Sequence, residues 1–259
     1  MKVMVVLPTY NEAGNIAEVL RRLRMAVSTA DVLVVDDASP DGTAEVARAA
    51  AAELGAIDVV VRPGKLGLGS AYRDGFAEGL RRGYQVLVEM DSDLSHDPAA
   101  LPALLGAIES GADLALGSRY VEGGSIPHWS PARRALSRWG NRYARWILGL
   151  PLADATSGFR AYRASMLARL DLHSARADGY GFQIEMAYRV AAAGGTITEV
   201  PIAFVDRARG TSKMSLAIVA EAVWLVAWWG ARDRIAGRPR LRHAHIGAVA
   251  RARPRPAPD

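Results

Sequence analysis

Five short apolar runs, at residues 2–7, 31–35, 57–61, 84–90 and 113–117, alternate with stretches of helical periodicity near 16–28, 43–54, 69–82 and 98–109. The runs are rich in Val, Ile and Leu and too short for buried helices, so they read as strands. Continuous rather than alternating apolar strands are covered by helices on both faces, and the β/α order predicts an α/β fold with a mostly parallel central sheet and right-handed crossovers. Ligands of such sheets sit at the carboxyl ends of the strands. The polar clusters fall there: Pro8-Thr9-Tyr10-Asn11-Glu12, Asp36-Asp37, the segment 62–69 and the segment 91–97 follow the first four runs. Four strand ends therefore converge on one crevice. Beyond residue 118 the pattern is irregular, with a basic aromatic helix near 132–148, a loop holding Asp154 and Thr156-Ser157-Gly158, and a helix at 182–193. No solenoid repeat or linker divides residues 1–230.

The candidate chemistry begins with Asp91-Ser92-Asp93 after the fourth run. Alternation along an extended chain points residues i and i+2 to one side, so both carboxylates reach one ion if strand geometry persists to that point. Hard oxygen ligands favour Mg2+ or Mn2+, particularly when substrate phosphates complete the shell; a solvated strand-to-loop corner is the alternative. The first strand end lacks the Gly-x-Gly-x-x-Gly of a dinucleotide-binding turn, and Gly64-Lys65-Leu66-Gly67-Leu68-Gly69-Ser70 lacks P-loop spacing, leaving either a phosphate contact or a plain helix-entry loop. Asp37 reads either as an acceptor for a base or ribose or as part of a turn through Ser39-Pro40-Asp41-Gly42. Carboxylates at the second and fourth strand ends, with a later Arg/Lys pair, suit a nucleotide diphosphate held through a metal.

Taken in order, these segments resemble a known family. Pro8-Thr9-Tyr10-Asn11-Glu12, Val35-Asp36-Asp37-Ala38-Ser39-Pro40-Asp41-Gly42-Thr43, Gly64-Lys65-Leu66-Gly67-Leu68-Gly69, Met90-Asp91-Ser92-Asp93-Leu94-Ser95-His96 and Gly117-Ser118-Arg119-Tyr120 are similar to family-two glycosyltransferases of the polyprenol (dolichol) phosphate mannosyltransferase type. Thr156-Ser157-Gly158-Phe159-Arg160, Gly179-Tyr180-Gly181-Phe182-Gln183-Ile184-Glu185 and Phe204-Val205-Asp206-Arg207 with Lys213 continue the likeness, which spans residues 3 to 214. The resemblance implies a GT-A type nucleotide-sugar fold and transfer of mannose from GDP-mannose to a polyprenyl monophosphate, with inversion at the sugar carbon. It implies that Pro8, Tyr10, Glu12, Val35 and Asp37 hold the nucleoside, with Lys65 nearby, and that Asp91 and Asp93, with Ser92 between them, carry the metal-diphosphate. It places Ser95 where some relatives supply a further ligand, Arg119 against phosphates or acceptor, and Arg207 and Lys213 on a loop closing over the donor. Ser92 departs from the Ala frequent at the middle position, and both carboxylates remain. Arg119 and Arg133 are candidates to orient the acceptor phosphate, since Arg reads phosphate bidentately.

Composition adds a location. The chain has 259 residues, half of them hydrophobic, and no cysteine, which excludes disulfides and thiolate metal sites. The run at 3–7 stops at Pro8, too short for a secretory signal, so a cytoplasmic catalytic part is expected. Of the net charge of +5, the segment 232–259 supplies eight Arg against Asp233 and Asp259, leaving residues 1–231 slightly acidic. This basic, Pro-containing tail reads as disordered and directed at an anionic partner. Arg134, Arg138, Arg142 and Arg145 recur on one face of the 132–148 helix beside Trp139, Tyr143 and Trp146, an interfacial pattern. The apolar run at 216–229 spans ~21 Å as a helix, short of the ~30 Å hydrocarbon core, and is expected to lie on a membrane or dock to an integral membrane partner rather than pack on the body. The expected layout is thus a catalytic domain at 1–214, a docking helix at 215–231 and a tail at 232–259, peripheral on the cytoplasmic face of the cell membrane. UDP-glucose is an alternative donor. A nucleic-acid-binding module is disfavoured by the interleaved Trp, so no nucleic-acid partner is expected, and an idle recruitment module is disfavoured by the intact Asp pair. His243-x-His245 lies in the tail and carries little weight as a metal site.

Overall fold

A computed structural model describes residues 1–175, 177, 179–206, 216–237, 241, 246 and 247. Its strands are β1 (Val3–Thr9), β2 (Asp31–Asp36), β3 (Ile57–Val61), β4 (Val86–Glu89), β5 (Leu114–Ser118), β6 (Arg160–Arg163), β7 (Ile197–Pro201) and β8 (Ile246–Gly247). They form one sheet in the order β3-β2-β1-β4-β6-β5-β7-β8, parallel except for β6, which runs antiparallel to both β4 and β5. Helices α1 (Ile16–Ala26), α2 (Thr43–Leu54), α3 (Leu68–Arg81), α4 (Leu101–Glu109), α5 (Pro131–Leu148), α6 (Ala164–Arg169), α7 (Gly179–Ala192) and α8 (Leu216–Ile235) complete it. The expected mixed α/β fold with a mostly parallel sheet flanked by helices is the one observed.

Alternation explains the two cores. Val3, Val5 and Leu7 of β1 point with Val32 and Val34 of β2 and Val86 and Val88 of β4 into one layer, closed by α1, α2 and α4. Met4 and Val6 point with Leu33, Val35 and Leu87 into the other, closed by α3, α5, α7 and α8. β3 departs from the continuous burial expected of it: it is the edge strand, with Val60 and Val61 exposed. Helix α3 lies against the sheet through Gly75 and Gly79, and a Cβ at Gly75 would stand 2.4 Å from Val6 Cγ1. Gly75→Ala gains roughly 1 kcal/mol of helix propensity but overpacks a layer at a cost of about 1–3 kcal/mol. Net destabilisation of up to about 2 kcal/mol is expected in urea unfolding, where an exposed helical Gly→Ala change would stabilise.

Helix α5 is delimited by local signals: the Ser130 side chain accepts from Arg133 N–H, Pro131 occupies the first turn, and Gly149 closes the helix with φ of 71°. Helix α8 runs beyond the apolar stretch to Ile235 and packs on α5 and α7. Ala222, Val226 and Trp229 are buried in that contact, Tyr143 Oη donates to the Val223 carbonyl at 3.2 Å, and Tyr188 stacks on Trp229. Packing on the body, disfavoured from sequence, is thus what one face of the helix does. Trp224 and Trp228 point outward, 63% and 56% exposed. Among the described residues no helix is long and apolar enough to cross a membrane.

Candidate active site

The loops after β1 and β2 are laced together. Asp36 accepts from Thr9 Oγ1 (2.8 Å), Ser39 N–H (2.8 Å) and Ser39 Oγ (2.6 Å), while Asn11 N–H donates to Ser39 Oγ (3.0 Å) and Glu12 N–H to Thr43 Oγ1 (2.9 Å). Asn11, Ala38 and Leu94 adopt left-handed φ of 57°, 51° and 65°, one in each loop after β1, β2 and β4. Non-glycine residues in that region cost on the order of 1 kcal/mol, a cost that such hydrogen bonding offsets. Pro8, Tyr10, Glu12, Val35 and Asp37 are thereby gathered at one end of the sheet, with Pro8 and Val35 opposite each other in register.

Asp37 does more structural work than its sequence context indicated. Its carboxylate pairs with Arg62, whose Nε donates at 2.6 Å, and accepts from the N–H groups of Leu66 (3.0 Å) and Gly67 (3.3 Å). The turn residue Ser39 is held by Asp36 instead. Arg62 also donates to Ser70 Oγ and the Gly67 carbonyl, so one buried ion pair shapes the whole 62–70 loop and lays Lys65 Nζ 4.4 Å over the Tyr10 ring. Arg62 was missed in the sequence because its partner lies 25 residues away.

Strand β4 ends at Glu89, short of the expected residue 90, and Asp91-Ser92-Asp93 lies in a bend. Strict strand alternation therefore does not aim the carboxylates; side-chain ties do. Ser92 Oγ donates to the Pro8 carbonyl (2.9 Å), Asp93 Oδ1 accepts from Ser95 N–H (3.0 Å), Asp91 N–H donates to His96 Nδ1 (3.3 Å), and Tyr72 Oη approaches Asp91 Oδ1 at 3.4 Å. Burial holds His96 neutral, lowering its pKa to about 4, and it packs 5.3 Å from the rings of both Phe159 and Phe204. Its anchoring of the Asp91 backbone gave no signal of ligand spacing in the sequence.

These residues fit a hard divalent cation. Asp91 has 31% of its side chain exposed, Asp93 is buried beside it in sequence, and the buried Ser95 Oγ has no hydrogen-bond partner. Gly158 leaves room, since a Cβ there would stand 3.6 Å from Asp91 Oδ1 and 3.4 Å from Gln183 Nε2. Among the described residues no three His, Cys, Asp or Glu form a metal cluster; two carboxylates are a donor set that Mg2+ commonly completes with phosphate oxygens and water.

Beneath this pair Glu89 is fully buried, and burial pushes its carboxyl up to about 8 against the pull of Arg160, whose Nε lies 3.3 Å away, and the donating Tyr162 hydroxyl. Arg160 is itself satisfied by the carbonyls of Ser157 (2.7 Å), Ala155 (2.7 Å) and Gln183 (2.6 Å). A carboxyl raised in the folded state is ionised first in the unfolded chain. Between its ordinary 4.5 and about 8, rising pH therefore favours unfolding, and above that window the effect levels off. Stability of the metal-free chain is expected to decline through the window by up to about 1.4 kcal/mol per pH unit from this group, and Glu89→Gln to flatten the decline in urea titrations at several pH values.

The phosphate-facing candidates differ in placement. Arg119 is buried and grips Asp154 bidentately, Nε to Oδ2 at 2.6 Å and Nη2 to Oδ1 at 2.7 Å, with Thr156 Oγ1 at 2.8 Å. Burial alone would raise the Asp154 carboxyl, but Arg119 and Thr156 hold it below the usual range. Arg133 pairs with Asp206 (2.6 Å) and lies 4.0 Å over Trp129. Both arginines line a narrow cavity of about 80 Å³ with Leu136, Ile184, Val223 and Val226, and among the described residues no other charged residue lines it. Arg207 and Lys213 lie outside the described residues, as do His243 and His245.

Comparison with known proteins gives this arrangement a family. Residues 4–171 match the family model described as glycosyl transferase family 2. The chain is 52% identical over 242 residues to undecaprenyl-phosphate mannosyltransferase of Micrococcus luteus, covering 93% of this chain and 99% of that one. It is 46% identical over 235 residues to polyprenol monophosphomannose synthase of Mycolicibacterium smegmatis, covering 90% and 89%. Glucosyl-3-phosphoglycerate synthase of Mycobacterium tuberculosis, solved with Mn2+, UDP and glucosyl-3-phosphoglycerate, shares the fold with a TM-score of 0.62 at 22% identity, over 92% of this chain and 81% of that one. The matched span carries β1 to β6, the bend with its two carboxylates and Arg119, and by it the chain belongs to glycosyl transferase family 2.

Proposed function

We propose that this protein transfers mannose from GDP-mannose to a polyprenyl monophosphate, giving polyprenyl phosphate mannose, while bound peripherally at the cytoplasmic face of the cell membrane. The observation that carries the reading is the apolar cavity whose charged lining, among the described residues, is Arg119 and Arg133. Such a lining suits a ligand with a hydrocarbon chain and an anionic head. The names of the two relatives, a mannosyltransferase and a phosphomannose synthase acting on polyprenyl lipids, agree with it.

Pro8, Tyr10, Glu12, Val35, Asp37 and Lys65 would hold the nucleoside end of the donor in the laced loops. Asp91 and Asp93, with Ser95 beside them, would hold Mg2+ or Mn2+, which when bound neutralises charge developing on the diphosphate. Arg207 and Lys213 would add cationic contacts to the same phosphates. A lipid monophosphate has a second pKa near ~6, so its oxygen is largely ionised at neutral pH and attacks the anomeric carbon without a strong protein base. The new C–O bond forms as the bond to the β-phosphate oxygen breaks, and GDP leaves from the opposite side. Arg119 and Arg133 orient the attacking phosphate. Trp224 and Trp228, with the basic tail, meet the anionic membrane surface, and an integral membrane partner would strengthen attachment.

The test incubates the protein with labelled GDP-mannose, Mg2+ or Mn2+ and a polyprenyl phosphate, and follows label into organic-extractable lipid. Label is expected there with GDP-mannose. Transfer from UDP-glucose without transfer from GDP-mannose would reject the mannose assignment.

A further inference from the structure

Helix α5 carries Arg133, Arg134, Arg138, Arg142 and Arg145 and no acidic residue. Arg133 is paired with Asp206, and Arg134 donates to the Ile126 carbonyl. The other three, all exposed, form no ion pair or hydrogen bond among the described residues, and Arg138 only approaches the Tyr120 ring, at 5.7 Å. On other helices Arg21, Arg22, Arg81 and Arg189 each pair with a carboxylate three or four residues away, and Arg82, at the end of α3, pairs with Glu78. Arginines spaced three and four residues apart repel one another and slightly destabilise the helix that bears them, so an anion bound to such an unpaired row would relieve that repulsion.

Arg138, Arg142 and Arg145 line one groove of about 810 Å³, closed by segments 119–124 and 149–153. Among the described residues no Asp or Glu lines it. The α5 residues that line it differ from those lining the acceptor cavity and lie on the opposite side of the helix by helical phase, although Arg119 borders both. Its volume far exceeds that of an inorganic phosphate, and Trp146, 66% exposed, stands at its lining as an aromatic residue does at a headgroup boundary.

We infer that this groove binds the phosphodiester headgroup of an anionic phospholipid through Arg138, Arg142 and Arg145, none of which lines the acceptor cavity. The inference rests on the membrane-surface part of the proposed function and is independent of donor and acceptor identity. Binding there would fix α5 against the membrane and hold the acceptor cavity, on its other side, at a set depth.

The test uses the full chain and sedimentation with phosphatidylcholine vesicles, with and without phosphatidylglycerol. A variant carrying Arg138→Gln, Arg142→Gln and Arg145→Gln is compared with one carrying Arg21→Gln, Arg22→Gln and Arg48→Gln, which removes the same charge elsewhere and leaves the basic tail intact. The groove variant is expected to lose roughly tenfold or more in partitioning to phosphatidylglycerol vesicles, and the control less than about twofold. Arg142→Gln alone should lose a smaller share in the same direction, which keeps the comparison open should the triple variant fold poorly. Equal losses in the two triple variants would reduce the effect to bulk charge and overturn the site. Equally tight, groove-dependent binding of free glycerol phosphate without vesicles would assign the groove to soluble phosphates and overturn the lipid assignment.

Discussion

Asp93→Asn is expected to lower transfer of labelled mannose into lipid by roughly a thousandfold, while the folded state stays within about 1 kcal/mol of the parent. The side-chain oxygen that accepts from Ser95 N–H survives in Asn, so the bend keeps its geometry. What would be lost is one of the two negative charges proposed to hold the divalent ion, and an ion held by a single carboxylate would be both weaker and less centred. Ser92→Ala supplies the contrast: it removes the bond to the Pro8 carbonyl but no charge, and should cost only about 1 kcal/mol of stability with most activity retained. Full activity in Asp93→Asn would dissociate the carboxylate pair from the metal.

Arg119→Met is expected to destabilise the protein by about 3–5 kcal/mol, because it strands Asp154 as an unpaired, fully buried carboxylate. Activity would fall as well, and that loss alone would say little about acceptor binding. Pairing Arg119→Met with Asp154→Asn removes both charges while keeping an acceptor for the residue 119 N–H, and should restore about half of the lost stability. If Arg119 orients the acceptor phosphate, the double variant stays inactive although folded. Recovery of activity together with stability would make the arginine a scaffold for Asp154 only. Urea unfolding and the lipid-transfer assay, read on the same samples, separate the two.

The strands that could be read from the chain are those whose apolar residues face both layers. β1, β2, β4 and β5 are continuous Val, Leu and Ala runs, and each is buried on both faces. β6 escaped notice because its sequence, Arg160-Ala161-Tyr162-Arg163, looks like a surface segment. Arg160 is nonetheless fully buried, its charge met by three carbonyls and Glu89 that no local pattern reveals. The same limit applies to the site. Asp91, Asp93 and Asp37 are visible as acids at strand ends, whereas the partners that orient them, Arg62, Tyr72 and His96, become meaningful only once the chain has folded. For Arg119 the sequence supplied the residue and withheld its counter-ion, 35 residues on.

The reversed strand β6 also bears on how the protein reaches its folded state. It joins β4 and β5, so the sheet remains in two pieces until residues 160–163 are in place, and its Tyr162 meets Glu89 across 73 residues of chain. Pairings at such separation close late, because the loop entropy is spent before the contacts form. The half that carries Pro8, Asp37 and the two carboxylates can gather its strands early. The part that carries Arg119 and Arg133 joins it when β6 locks, which makes insertion of this one polar strand the expected slow step in refolding.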